Sequence, residues 1–117
     1  MKKVYHLSTC DTSRQIIREN KLDKRGFQLQ DIKTEKITAT QLDEMKKMAG
    51  SYEALFSRRA LKYKSLGLKD MNLEEKDYRK FILEEYTFLK RPVIIMDDKI
   101  FVGSEKKTLE ALKKCAG

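Results

Sequence analysis

The segments that favour β-strands lie near the two ends of this chain of 117 residues, and a helical middle separates them. KKVYHL carries the strand-forming Val4, Tyr5 and Leu7, and GFQLQDI alternates apolar and polar residues after Gly26. Close to the other end, PVIIM, the turn residues DDK and IFVG together predict a β-hairpin. Both ends can therefore contribute to one sheet, with helices packed on its faces.

Helical patterns account for most of the chain between these strands. SRQIIRENK follows residues 11–13, three side chains that can cap a helix, and its Ile16 and Ile17 should face the core. SEKKTLEALKKCA predicts an amphipathic helix at the end of the chain. The order is β-α-β, a helical middle, then β-β-α. We therefore predict an α/β fold in one domain, residues 1–117, with a helical insertion at about 38–90.

Within that insertion, the pattern predicts a helix from about Thr40 to Gly50 and one or two short helices up to Gly67. A longer helix is predicted across NLEEKDYRKFILEEYTFL, opened by Asn72. Its aromatic and aliphatic residues recur every three or four positions, and this spacing marks one buried face of the helix.

Composition limits the classes of partner and the location. The net charge is +8, with 38% charged residues, and this favours anionic partners. The lysines and arginines are nevertheless scattered, without a basic tail or an aromatic platform, so the charge does not favour nucleic acid. No apolar run is long enough for a membrane span, and MKKVYHLSTC lacks the features of an export signal. We therefore expect a cytoplasmic protein without a membrane partner.

Cys10 is the residue that most suggests chemistry. It stands between the first strand and the first helix, where unpaired N–H groups and the helix dipole favour a thiolate and can hold an oxyanion. Arg14, one helical turn later, adds a positive charge. The alternative is a small buried cysteine that only fills space. The phosphatase loop is excluded, because it requires an arginine six residues after its cysteine and Ile16 stands there. With Cys115 far away and His6 the single histidine, neither a disulfide framework nor a metal site is predicted.

The segments VYHLSTCDTSR, ALFSRRALKYKSLGL and FLKRPVIIMDDKIFVGSEKKTLEAL together resemble the ArsC/Spx family of arsenate reductase-like proteins. The first is similar to the family's strand, cysteine and helix start with its Cys-x-x-x-Arg, the second to its central segment, and the third to its last strand–turn–strand–helix. The resemblance spans nearly the whole chain in the same order. It implies a thioredoxin-like β-α-β … β-β-α fold with a mixed four-stranded sheet and a helical insertion in the middle.

The resemblance also implies roles for individual residues. Cys10 matches the family's catalytic cysteine, and Arg14 matches its partner in the first helix. Arg91 matches an anion-binding arginine, and Pro92 matches the following proline, which is cis in thioredoxin-like folds and shapes the pocket wall. Arg59 matches an arginine of the central segment, and it would bind the anion together with Arg14 and Arg91.

His6 matches a histidine that some arsenate reductases place four residues before the cysteine, where it would tune the cysteine's pKa, and a packed strand-end histidine is the alternative. Other positions depart from the family. Ser57 and Val102–Gly103 stand where the glutathione- and glutaredoxin-linked arsenate reductases carry further arginines. Leu7–Ser8 replaces the Asn-Pro often found ahead of the cysteine. These departures leave the identity of the oxyanion open.

Two functions follow from these residues. Ser13 occupies the second position of the Cys-x-x-Cys switch of Spx, and the spacing of Cys115 indicates a helix-end residue rather than a resolving thiol. The first hypothesis is therefore a monothiol oxidoreductase, in which the Cys10 thiolate attacks an oxyanion held by the three arginines and glutathione or glutaredoxin is the external reductant. The alternative is an Spx-like adaptor that binds the C-terminal domain of the RNA polymerase α subunit, which the basic charge and Arg59 fit.

Overall fold

The computed structural model describes residues 1–116 of the chain. Four strands form one sheet in the order β2-β1-β3-β4. Strand β1 pairs in parallel with β2 and antiparallel with β3, and β3 pairs antiparallel with β4. This arrangement confirms the predicted α/β fold with a mixed, thioredoxin-like sheet. The strands are β1 (Lys2–His6), β2 (Gln28–Asp31), β3 (Val93–Met96) and β4 (Lys99–Val102).

The described residues also form five α-helices and several short 3-10 turns. The helices are α1 (Asp11–Glu19), α2 (Ala39–Ala49), α3 (Leu61–Ser65), α4 (Glu75–Glu84) and α5 (Lys106–Ala116). None of them combines the length and the apolar character needed to cross a bilayer. The chain divides into two compact units, the first combining Met1–Lys36 with the segment from Arg91 onward and the second being Ile37–Lys90. The expectation of a single domain stays a prediction.

The core of the first unit is built on a row of side chains that runs across three strands. Val4, Ile94 and Phe101 are register partners in β1, β3 and β4. They form one buried cluster with Ile16 of α1 and Leu112 of α5, so both helices pack on the same face of the sheet. Burying one such aliphatic side chain contributes roughly 1.5–3 kcal/mol, more than a typical exposed ion pair. The cluster therefore fixes where α1 begins relative to the end of β1.

The second unit corrects one prediction from the sequence. The long helix expected from Asn72 onward is shorter: α4 begins after Glu74, which caps it in a reciprocal capping box with Asp77, and it ends at Glu84. Residues 86–88 form a 3-10 turn instead. The reason is a set of long-range backbone bonds, Ser57 N–H to the Phe88 carbonyl at 2.7 Å and Lys90 N–H to the Leu55 carbonyl at 2.8 Å. Apolar residues at helical spacing continue beyond Glu84, and for this reason the sequence pattern predicted a longer helix.

An ion pair joins α2 to α4 within the second unit. Arg79 donates from Nε and Nη2 to the two carboxylate oxygens of Asp43 at 2.9 and 3.2 Å, and the Tyr52 hydroxyl donates to Asp43 Oδ1 at 2.5 Å. The guanidinium of Arg79 and the Tyr52 hydroxyl lower the pKa of Asp43 to about 2. The carboxylate is therefore held in its charged form by two partners.

We expect this ion pair to make the free energy of unfolding depend on pH in the acid range. The pKa of Asp43 is lower in the folded chain than the ordinary value of about 3.9, so its contribution is complete above pH 4 and disappears as the pH falls towards 2. Thermal unfolding followed by circular dichroism between about pH 5 and pH 2 measures this loss. Asp43→Asn should show a shallower decline of Tm over the same range, and Glu44→Gln, a neighbouring exposed carboxyl, serves as the matched control.

Candidate active site

Cys10 lies where the chain passes from β1 into α1. It is the N-cap residue of α1, with extended backbone angles of φ −96° and ψ 111° and no side-chain cap hydrogen bond. Its N–H donates to the Leu7 carbonyl at 2.9 Å, and its carbonyl accepts the Arg14 N–H at 3.1 Å. The side chain is half-buried. The sequence allowed residues 11–13 to cap this helix, but Cys10 occupies the cap position itself, at the end of the helix where the first-turn N–H groups are free.

The surroundings of Cys10 stabilise its thiolate. Partial burial is the largest single influence and raises the pKa of the thiol, but the N–H and hydroxyl of Ser13 and the guanidinium of Arg91 together outweigh it. The net effect is a pKa below the ordinary value for cysteine. Since the thiolate is the nucleophilic form, this geometry favours reactivity over a purely space-filling role.

Arg91 reaches Cys10 because of the strand order. Strand β3 is antiparallel to β1, with Val93 opposite Tyr5, so the residues just before β3 lie beside the residues just after β1. The Arg91–Pro92 peptide bond is cis, as the resemblance implies. The Pro92 carbonyl accepts the Gly103 N–H at 2.9 Å, which ties this turn to the end of β4. The pocket-shaping role of Pro92 stays a prediction.

His6 lies at the end of β1, directly opposite Asp31 of the parallel strand β2. Asp31 Oδ1 accepts the N–H groups of Ser8 and Lys33, both at 3.2 Å, and so holds the loop that leads to Cys10. Burial lowers the pKa of His6, and the negative charge of Asp31 opposes this change. The histidine is therefore biased towards its neutral form beside the cysteine loop.

We expect the single histidine of the chain to titrate below its ordinary pKa of 6.5. Asp31→Asn should lower the pKa of His6 further, because it removes the carboxylate that favours the charged ring. Proton NMR of the imidazole between about pH 4 and pH 8 measures both values. Because the unfolded chain binds this proton more tightly, His6 also weakens the fold as the pH falls from 6.5 through its folded pKa. A titration midpoint in Asp31→Asn at or above that of the parent chain would contradict the assignment.

The structure places the other predicted residues in different surroundings. Arg14 is exposed on α1 and forms an ion pair with Asp11 at 3.7 Å. Arg59 belongs to the second unit, where its side chain is exposed and its N–H donates to Ser57 Oγ at 3.3 Å. The structure thus brings Arg91 and Ser13 to the Cys10 thiol, while anion binding by Arg14 and Arg59 stays a prediction.

Two contributors were not identified as site residues from the sequence, Ser13 and Asp31. The Ser13 hydroxyl is fully buried and makes no well-formed hydrogen bond within residues 1–116, although it lies near enough to the thiol to lower its pKa. A signal for it existed, because the third residue after an N-cap regularly faces the cap side chain. Asp31 depends on the pairing of β2 with β1, which the residue pattern alone did not indicate.

Comparisons with known proteins bear on the family and the overall fold. The model of the ArsC family matches residues 5–112. An arsenate reductase from Vibrio cholerae has a similar structure, with a TM-score of 0.78 at 16% identity, covering 97% of this chain and 95% of that one. An arsenate reductase (ArsC) related protein from Brucella melitensis gives a TM-score of 0.72 at 25% identity, with 94% and 92% covered. No curated protein matches the chain significantly.

Proposed function

Because the chain belongs to the ArsC family, we propose that it is an arsenate reductase-like monothiol oxidoreductase with Cys10 as its nucleophile. A single observation carries the proposal: the Cys10 thiol sits at the start of α1 with Ser13 and Arg91 stabilising its thiolate. One structural relative is described as an arsenate reductase and another as an arsenate reductase (ArsC) related protein, and both descriptions support arsenate as the oxyanion substrate.

The proposed reaction begins with an oxyanion beside the helix start. The Cys10 thiolate attacks arsenic(V), an S–As bond forms, and one oxygen leaves as water after protonation. The free N–H groups of the first turn of α1, the Ser13 hydroxyl and the Arg91 guanidinium would stabilise the negative charge that is redistributed in this step. Ser13 Oγ, which has no well-formed partner in the described part of the chain, is then available to donate to the bound oxyanion.

An external thiol completes the reduction. A glutathione thiolate attacks the Cys10 sulfur, the S–As bond breaks and its electron pair stays on arsenic, which departs as arsenite. The two sulfurs, each oxidised by one electron, remain as a Cys10–glutathione mixed disulfide. A second thiol, from glutaredoxin or glutathione, then exchanges with this disulfide and restores the Cys10 thiolate. The sum converts arsenate and two thiols into arsenite, one disulfide and water.

The position of the second cysteine supports an external reductant. Cys115 Sγ accepts a hydrogen bond from Lys99 Nζ at 3.6 Å. Lys99 is paired across the sheet with Met96, and Met96 is paired with Lys2, so Cys115 lies near the start of β1. Cys10 follows the other end of β1, and a strand of five residues spans roughly 13–17 Å. A disulfide between these two thiols would require a large rearrangement, since bonded cysteines have Cα atoms within about 7 Å. The need for a free thiol fits a reducing compartment, and we propose the cytoplasm.

A coupled assay tests this function. Purified protein is incubated with arsenate, glutathione, glutaredoxin, glutathione reductase and NADPH, and each component is omitted in turn. We expect arsenate-dependent oxidation of NADPH that requires glutathione and is accelerated by glutaredoxin. Absence of arsenate-dependent oxidation in the complete mixture would overturn the assignment of arsenate.

A second candidate function, an Spx-like adaptor, is favoured by exposed apolar side chains that follow Arg59 along the chain in the second unit. Leu61 is 89% exposed, Leu66 54% and Met71 55%, so the second unit offers apolar side chains that a protein partner would cover. This function predicts co-purification with the C-terminal domain of the RNA polymerase α subunit, and Arg59→Glu should abolish it. Failure of the parent chain to enrich that domain would eliminate the adaptor function.

A further inference from the structure

An open cavity of about 690 Å³ runs along α1 in the first unit. One wall is the helix face that carries Arg14, Ile17 and Arg18, spaced three and four residues apart. Residues of the turn after α1 also line the cavity, as do His6 and Ser8 at the end of β1. Its size lies within the range of about 300–1,000 Å³ typical of sites for small molecules.

The cavity is strongly cationic. Its lining includes two arginines of α1 and two lysines of the following turn, against a single carboxylate in that turn; these are Arg14, Arg18, Lys21, Lys24 and Asp23. Ile17 adds an apolar floor, and it is partly buried against the core. Positive charges along a concave surface raise the local concentration of anions. The lining therefore fits a ligand with at least two carboxylates and a short aliphatic segment.

The cavity reaches the loop that leads to the nucleophile. Ser8 precedes Cys10 by two residues, and the Arg14 N–H donates to the Cys10 carbonyl at 3.1 Å. A ligand that occupies the cavity thus has one end beside the loop that carries the thiol. We propose that this cavity binds the thiol cosubstrate, a small peptide thiol with two carboxylates of the glutathione type, and this inference rests on the proposed function. Its carboxylates bind to the cationic walls, and its sulfur points towards Cys10.

Binding without chemistry tests the proposal independently of turnover. The ligand is S-methylglutathione, whose thiol is blocked, and the protein is Cys10→Ser, which lacks the reactive cysteine. Titration calorimetry of this pair therefore measures non-covalent binding alone. We expect saturable binding that weakens as salt rises from about 50 to 500 mM, because exposed charge pairs are screened. The diethyl ester of S-methylglutathione lacks both negative charges and should bind at least about ten-fold more weakly.

Charge reversal locates the site. Arg18→Glu with Lys24→Glu should weaken binding of S-methylglutathione at least about five-fold. Arg18→Gln with Lys24→Gln removes the charges without reversing them, so its affinity should lie between that of the parent chain and that of the charge-reversed variant. The control is Lys106→Glu with Lys107→Glu, at two exposed residues of α5 outside the cavity. It makes the same change in net charge, and its dissociation constant for S-methylglutathione should stay within about two-fold of the parent value. Unfolding curves confirm that each variant is folded.

The outcomes separate this inference from the proposed function. No saturable binding of S-methylglutathione, equal binding of its diethyl ester, or equal loss in the α5 control would overturn the cavity assignment. Binding that is sensitive to Arg18 and Lys24 supports it even if arsenate is not reduced, in which case only the oxyanion assignment fails. If arsenate is reduced but the cavity substitutions do not weaken binding, the reductant approaches Cys10 from elsewhere and the inference is wrong.

Discussion

Replacing Cys10 with serine should reduce arsenate-dependent oxidation of glutathione at least about a thousand-fold, to the background rate. A serine hydroxyl is far less acidic than a thiol, so the groups that stabilise a thiolate at the start of α1 cannot generate an oxyanion nucleophile near neutral pH. Serine also cannot form the S–As bond or the mixed disulfide. The coupled assay with glutathione and glutaredoxin measures the loss.

Cys115→Ser is the matched control for this experiment. Cys115 is the other cysteine of the chain, and it is exposed. It lies beside Lys99, the first residue of β4, rather than beside Arg91. We expect Cys115→Ser to retain most of the parent activity. A comparable loss in both variants would contradict the monothiol mechanism, because it would give Cys115 a resolving role, and full activity in Cys10→Ser would remove Cys10 from the reaction.

The first unit shows how far the sequence could predict the site. Its strands, the hairpin and the terminal helix have strong local patterns, and the structure confirms them. The approach of Arg91 to Cys10 has no local pattern, because it depends on β3 pairing with β1 across more than eighty residues. The resemblance supplied that pairing, whereas hydrophobic periodicity could not. Asp31 was missed for the same reason, since only the parallel pairing of β2 with β1 brings it beside His6.

The second unit shows the opposite failure. Local periodicity predicted too much helix after Glu84, because apolar residues continue at helical spacing through Leu89. The backbone there instead bonds to residues 55 and 57, and Phe88 stacks on Phe56 with ring centroids 5.0 Å apart. A partner distant in sequence thus decided the conformation of a segment whose own pattern was ambiguous. Helix ends that are set by tertiary pairing are not visible in a local pattern.

Arg91→Met should raise the pKa of Cys10 and lower kcat/KM for arsenate by about 10²–10³-fold. The guanidinium contributes both a hydrogen bond and a positive charge that lower the pKa of the thiol, and methionine retains a similar apolar length without either. Fewer molecules then carry a thiolate at neutral pH, and the developing charge on the oxyanion loses a donor. The pH dependence of iodoacetamide alkylation, measured in Cys115→Ser so that Cys10 is the single thiol, reports the pKa directly.

Two further substitutions separate charge from geometry at this position. Arg91→Lys keeps a positive charge without the planar fork, so it should restore much of the low thiol pKa but only part of kcat/KM for arsenate. Arg25→Met removes an exposed arginine near Cys115, at the other end of the sheet, and should change neither value. A thiol pKa in Arg91→Met that is no higher than in the parent chain would show that the start of α1 and Ser13 suffice to ionise Cys10. The role of Arg91 would then be limited to holding the oxyanion.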